Sequence, residues 1–161
     1  MARNPDPTQK LTSSKGVTRT LDDWSTMFHL CLVILPDRPE ASVFVPIARR
    51  VFATFGDADC RVAFVVTGNE YIAARILGEA ESQVLTFCDP DKVFVQSLGL
   101  ERLPAFVHLR QNTTVGAAAE GWDPHEWQGV VRELARAMAW TVPEVGRPGD
   151  PPPYRGWPLT A

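Results

Sequence analysis

Two short, almost unbroken apolar runs constrain this chain more than anything else in it: Phe28 to Leu35 (FHLCLVIL) and Arg61 to Thr67 (RVAFVVT). A strand with one wet face alternates apolar and polar residues. A run without alternation, rich in Val and Ile and too short for a helix, reads as a strand buried on both faces. The sheet that holds such strands has to be covered above and below. The intervening sequence supplies the cover: Phe44, Ile47, Ala48, Val51, Phe52 and Phe55 recur at helical spacing and form one apolar stripe.

The rest of the chain continues the alternation. Thr20 is placed to cap a short helix opening at Leu21-Asp22-Asp23-Trp24. Asp37 and Glu40 have the spacing of a capping box, with Pro39 in a first helical turn and Pro46 placed to kink the helix that runs to Gly56. Asn69 caps a helix whose stripe is Ile72, Ala73, Ile76 and Leu77. Gln83 to Cys88 is a third strand, and Asp89-Pro90-Asp91 starts a short helix ending at Gly99. Ala105 to Leu109 and Thr114 to Ala119 are joined by too few residues for a crossover, so they pair antiparallel. Asp123-Pro124-x-Glu126 starts the last helix, with Trp127, Val130, Val131, Leu134, Ala135 and Met138 on its apolar side. This order predicts an α/β domain: a three-layer α/β/α sandwich on a mixed five-stranded sheet, with a C-terminal antiparallel hairpin and a final helix.

With 161 residues, 45% of them hydrophobic and 22% charged, the chain has material for one domain and its core. Residues 1–18 read as disordered, 19–140 as the domain and 141–161 as a tail. The tail holds six prolines and three glycines, yet it also carries Tyr154, Trp157 and Leu159. A net charge of −3 argues against nucleic acid as a partner. No apolar run approaches the roughly 18 residues needed for membrane insertion, and the polar start of the chain predicts a cytoplasmic protein.

Cys31, Cys60 and Cys88 are far apart, and no Cys-x-x-Cys is present. They read as small buried hydrophobes. His29, His108 and His125 are not spaced as metal ligands, and no glycine-rich phosphate loop occurs. Neither a metal nor a cofactor is expected.

Three features resemble the thioredoxin superfamily over roughly residues 20–140. A buried strand leads through a Pro-containing loop into a helix with an internal proline, Pro46. Leu103-Pro104-Ala105-Phe106 is similar to the family's cis-proline lead into its fourth strand. Phe87-Cys88-Asp89-Pro90-Asp91-Lys92, followed by Leu98-Gly99-Leu100, resembles a run of the peroxiredoxin-like and TlpA-like members. With Pro46 as the ruler, the family's reactive cysteine pair falls on Arg38-Pro39-Glu40-Ala41, and Ser42 and Val43 stand where a peroxidatic cysteine belongs. The resemblance therefore implies a module without thiol chemistry that binds another protein or an extended peptide. Its candidate contacts are Asp37, Arg38, Glu40, Leu103, Pro104, Tyr154 and Trp157. The alternative is an atypical thiol-disulfide oxidoreductase or peroxidase using Cys88 or Cys60. Leu21-Asp22-Asp23-Trp24 and Gly121-Trp122-Asp123-Pro124 further resemble the thioredoxin-like accessory proteins of nickel–iron hydrogenase maturation. That resemblance implies an assembly chaperone.

Overall fold

The structure, a computed structural model describing residues 2–159, begins with a hairpin where the sequence predicts disorder. Strand β1 (Lys10–Ser13) turns at Gly16 into β2 (Thr18–Thr20). Of β1, Leu11 and Ser13 are buried while Lys10 and Thr12 are exposed. One apolar side chain is too little to show as a period in sequence. The strand persists because Thr12 and Ser13 pair with Cys88 and Phe87 of the sheet.

The chain continues through α1 (Leu21–Ser25), β3 (His29–Leu35), a 3-10 helix at Pro39–Phe44, α2 (Val45–Phe55), β4 (Cys60–Val66), α3 (Glu70–Leu77) and α4 (Ala80–Gln83). Then follow β5 (Leu85–Cys88), α5 (Val93–Ser97), β6 (Arg102–Leu103), β7 (Ala105–Leu109), β8 (Val115–Glu120), α6 (Pro124–Met138) and β9 (Trp157–Pro158). Three expected caps are in place. Thr20 Oγ1 accepts from the Asp23 amide at 3.1 Å, Asn69 Oδ1 from Ile72 at 3.0 Å and Asp123 Oδ1 from His125 at 2.8 Å. Each satisfies an amide that a helix N-terminus leaves unpaired.

The capping box at Asp37 and Glu40 does not form. Arg38 occupies the N-cap without a side-chain bond, and a 3-10 turn precedes α2. Pro46 sits in the first turn of α2 and does not kink its interior. The two facts share a cause: Pro46 has no N–H to give to Ser42, so a continuous α-helix from residue 39 would lack that bond. The Val45 amide instead reaches back three residues to Ser42, and the helix starts afresh.

The main sheet runs β2-β1-β5-β4-β3-β7-β8. Strands β3, β4 and β5 are parallel, and β7 and β8 add the antiparallel end. The five predicted strands are thus its centre, extended by the β1–β2 hairpin. Residues of β3 divide between the two faces with period two. Cys31, Val33 and Leu35 join α2, α3 and α6 in one core, while Leu30, Leu32 and Ile34 join α1, α5 and Leu11 in the other. Helices on both faces explain why β3 shows no polar alternation.

The tail docks on its own domain. Val145 is fully buried against the α2–α6 layer. Arg50 holds Asp150 at 2.7 Å and the Val145 carbonyl at 2.8 Å, and that ion pair keeps the Asp150 carboxyl below the usual range. Trp122 and Tyr154 exchange two backbone hydrogen bonds of 2.6 and 2.8 Å. A proline-rich segment cannot build a core of its own, but it can be pinned residue by residue to an existing one.

Candidate functional site

Strands β3 and β4, parallel neighbours at the centre, finish at the same end of the sheet, and the chain leaves them through Pro36-Asp37-Arg38 and Thr67. Between these loops and β6 lies a groove whose wall is the backbone of Arg102 and Leu103. The bond from Leu103 to Pro104 is cis. Strand β9 lies in this groove, antiparallel to β6, with Arg102 opposite Pro158 and Leu103 opposite Trp157. The segment is held along its length. Arg102 Nη1 donates to the Gly156 carbonyl at 2.8 Å, the Leu159 amide to Glu101 at 2.8 Å and Lys92 Nζ to the Leu159 carbonyl at 2.6 Å.

Two side chains anchor it. Trp157 lies against Phe44 (centroids 6.2 Å apart) and Tyr154 (4.9 Å), with the Arg38 guanidinium 5.6 Å from its ring centroid. That last distance is within cation–π range. Leu159 enters the core layer of Leu103, Phe94 and Leu98. What space remains, about 10 Å³ lined by Pro36, Asp37, Arg38, Thr67, Lys92 and Leu103 with the tail, is room for no more than one water. The groove is filled.

Of the residues predicted from sequence, the structure brings together Arg38, Leu103, Tyr154 and Trp157, with Asp37 at the rim. Pro104 is buried beneath, its carbonyl bonded to the Gly121 amide at 2.7 Å. Glu40 is exposed and outside the groove. Lys92 and Phe44 are contacts that sequence reasoning passes over, since both lie in unrelated segments. A separate cleft of about 400 Å³ opens beside the groove, between the 3-10 helix and α3, lined by Asp37, Pro39, Ser42, Ile72, Arg75 and Ile76.

None of the three cysteines lines the groove. Cys31 lies mid-strand and fully buried, and burial beside Cys60 pushes its thiol well up. Cys88 ends β5 half-buried, and its thiol is pushed up to about 11, first by burial and then by Glu70 and Glu81. Sequence proximity points instead to Asp89 and Asp91, but Asp89 turns its carboxylate inward to accept from the Phe94 and Val95 amides. A reactive thiol needs the opposite surroundings. At pH 7 Cys88 is therefore expected to hold about a hundredfold less thiolate than an ordinary cysteine, from the two-unit rise above 9.0. Mass-spectrometric timing of iodoacetamide labelling checks this; labelling of Cys88 as fast as free cysteine would refute it.

At the other end of the sheet lies a cluster with no sequence motif. His29 Nδ1 and His108 Nε2 are 2.8 Å apart, and His108 Nδ1 bonds Glu133 Oε2. His108 is fully buried. The β7–β8 ladder slips by one residue here, leaving Gly116 unpaired opposite His108. A Cβ on Gly116 would overlap the His108 ring, so glycine makes the room. A glycine inside a strand is the sequence signal for such a close approach. Burial lowers both imidazoles, with Glu133 opposing. Among the described residues no group of three or more His, Cys, Asp or Glu side chains is placed to hold a metal ion, and no helix is long and apolar enough to cross a membrane.

No protein-family model and no curated protein matches this sequence. Solved structures do match. A thiol:disulfide interchange protein DsbE from Chlorobium tepidum superposes with a TM-score of 0.69 at 16% identity, over 85% of this chain and 97% of that one. Peroxiredoxin Q of Xanthomonas campestris gives 0.64 at 12% identity, over 81% and 92%. A secreted Mycobacterium tuberculosis disulfide oxidoreductase gives 0.61 at 16%, over 80% and 96%. The fold is thioredoxin-like.

Proposed function

We propose that this protein is a thioredoxin-like module that binds an extended segment of another protein and performs no thiol chemistry. It then serves as an adaptor, assembly chaperone or accessory subunit in the cytoplasm. The observation that carries the reading is the pairing of β6 with β9. The edge before Pro104 takes an extended strand through main-chain bonds and two side-chain anchors, without a cysteine. Strand addition of this kind needs backbone groups for affinity and sockets for specificity. The thiols support the same reading, because Cys31 and Cys88 are held protonated. Three unbridged cysteines suit a reducing compartment. An oxidoreductase acting through Cys88 or Cys60 is the competing reading. The partner class implied by the hydrogenase-maturation resemblance is a metalloenzyme subunit awaiting assembly.

A photo-reactive residue in place of half-buried Arg38 at the groove is expected to capture one partner in the native host. The same residue at Met27, which is 77% exposed and beyond the opposite end of β3, is expected to capture none. Equal capture at both positions would refute the groove. Measurable disulfide reduction or peroxide consumption that Cys88→Ser abolishes would establish the competing reading.

A further inference from the structure

The groove's own occupant identifies the ligand that belongs there. We propose that residues 156–159 are a displaceable internal ligand, and that the external partner presents an extended segment of the same chemistry: a small residue, an aromatic, a proline and an aliphatic. This rests on the reading of the groove as a binding site and adds what it selects and how it is closed.

Each position of Gly156-Trp157-Pro158-Leu159 meets a matching feature. At Gly156, with φ of +98°, a Cβ would lie 2.9 Å from the Leu103 carbonyl oxygen and 3.2 Å from Arg102 Cβ. The strand approaches β6 too closely there for any side chain. At Trp157 the Phe44 ring, met edge-on, and the Arg38 guanidinium over the indole receive an aromatic ring. Pro158 is exposed, and the bond a backbone N–H would give is not missed there: Pro158 lies opposite Arg102, and the ladder bond is made by the next amide, from Leu159 to the Glu101 carbonyl. Leu159 is 8% exposed and joins an aliphatic layer. A proline within the segment also pre-sets its extended form and lowers the ordering cost of binding.

The same facts make the segment displaceable. Upstream, the tail is pinned by Val145, by the Arg50–Asp150 pair and by the Trp122–Tyr154 bonds. The groove segment itself is a two-residue strand, Trp157–Pro158, paired only with the two-residue β6. So short a pairing opens at less cost than the seven-stranded sheet, whose loss would unfold the domain. Release of residues 156–159 therefore leaves the upper tail docked. While it is docked, the segment competes at an effective concentration in the mM range, so external segments bind weakly until it leaves.

The probe is a fluorescent hexapeptide with the sequence of residues 154–159, titrated into the full chain and into the full-length variant Gly156→Ala. The variant is expected to bind at least tenfold more tightly than the unaltered chain, and trypsin is expected to cut it faster after Arg155. The double variant Gly156→Ala with Trp157→Ala repeats the measurement should alanine alone leave the strand seated. Equal binding by unaltered and variant chains would overturn the internal-ligand proposal while leaving the groove a binding site. No binding by a variant whose Arg155 has become trypsin-sensitive would overturn the groove itself.

Discussion

Trp122→Ala is expected to lower the free energy of unfolding by about 3–5 kcal/mol, the range for deleting a buried aromatic, and to loosen the tail at the same time. The indole is 1% exposed and packs edge-on against Trp127 at 5.0 Å and near Phe44 at 6.4 Å. Its N–H donates to the Pro151 carbonyl at 2.8 Å, and its backbone carries the two bonds to Tyr154. One residue thus ties the α2–α6 core to the segment that leads into the groove. Gly121 beside it explains how the tail comes so close: at φ +79° a Cβ there would lie 2.7 Å from the carbonyls of Tyr154 and Arg155. Urea midpoints measure the first effect and tryptic cleavage after Arg155 the second. Trp122→Phe keeps most of the packing and loses the indole donor, so it is expected to cost about 0.5–1.5 kcal/mol. A stability loss in Trp122→Ala with cleavage unchanged would separate core from tail and refute the coupling.

What was legible in the sequence follows from how much apolar surface each element buries. Strands β3 and β4 bury both faces, so their residues are apolar without interruption. Helices α2 and α6 bury one face, so their stripes repeat. Hairpin β1–β2 buries Leu11 and little else apolar, and its pairing energy comes from β5, about 75 residues away in the chain. Nothing local announces it. Pro46 is visible in sequence as a helix problem, but a proline does not say whether the helix bends around it or begins anew before it. The Ser42 carbonyl, which cannot receive a bond from Pro46 and takes the Val45 amide in a 3-10 turn, decides for the second.

The groove was half legible. Arg38 and Leu103 follow from their positions at a strand end and before a proline, and Trp157 stands out as an aromatic a solvated tail does not need. That Trp157 belongs to Leu103 is a tertiary fact across 54 residues, fixed by Gly156 and by the pinning of Tyr154 on Trp122. Trp24 and Trp122 are both accounted for by packing: Trp24 donates to the Leu11 carbonyl at 3.2 Å and Trp122 to Pro151. The histidine cluster was not legible, because His29, His108 and Glu133 come from three elements and share no spacing.

Acidification from pH 7.5 to 5 is expected to destabilise the fold through that cluster. Glu133 accepts from His108 Nδ1–H, so His108 Nε2 carries a lone pair and accepts from His29 Nδ1–H. This fixes both tautomers in the neutral state. Burial is the largest cause lowering both groups below 6.5, with Arg110 adding to it, while Glu133 opposes at both and Asp59 at His29. Between the lowered folded value and 6.5 the unfolded chain binds more protons than the fold. Stability is therefore full above about 6.5 and is lost as pH falls through that value toward the folded one. The Arg50–Asp150 pair acts in a separate window, because its carboxyl titrates below 3.8. Glu133→Ala leaves a buried ring N–H without an acceptor and is expected to cost about 1–3 kcal/mol at pH 7.5. Glu133→Gln still accepts that bond but no longer opposes the fall of the imidazole pKa. It is expected to match the unaltered chain at pH 7.5 and to lose more stability by pH 5. Urea midpoints across this range, with His29→Gln/His108→Gln as the reference, decide the matter: the double variant is expected to flatten the profile. An unchanged slope would mean that the imidazoles titrate alike in the folded and unfolded chains, and that the buried pair carries no proton linkage.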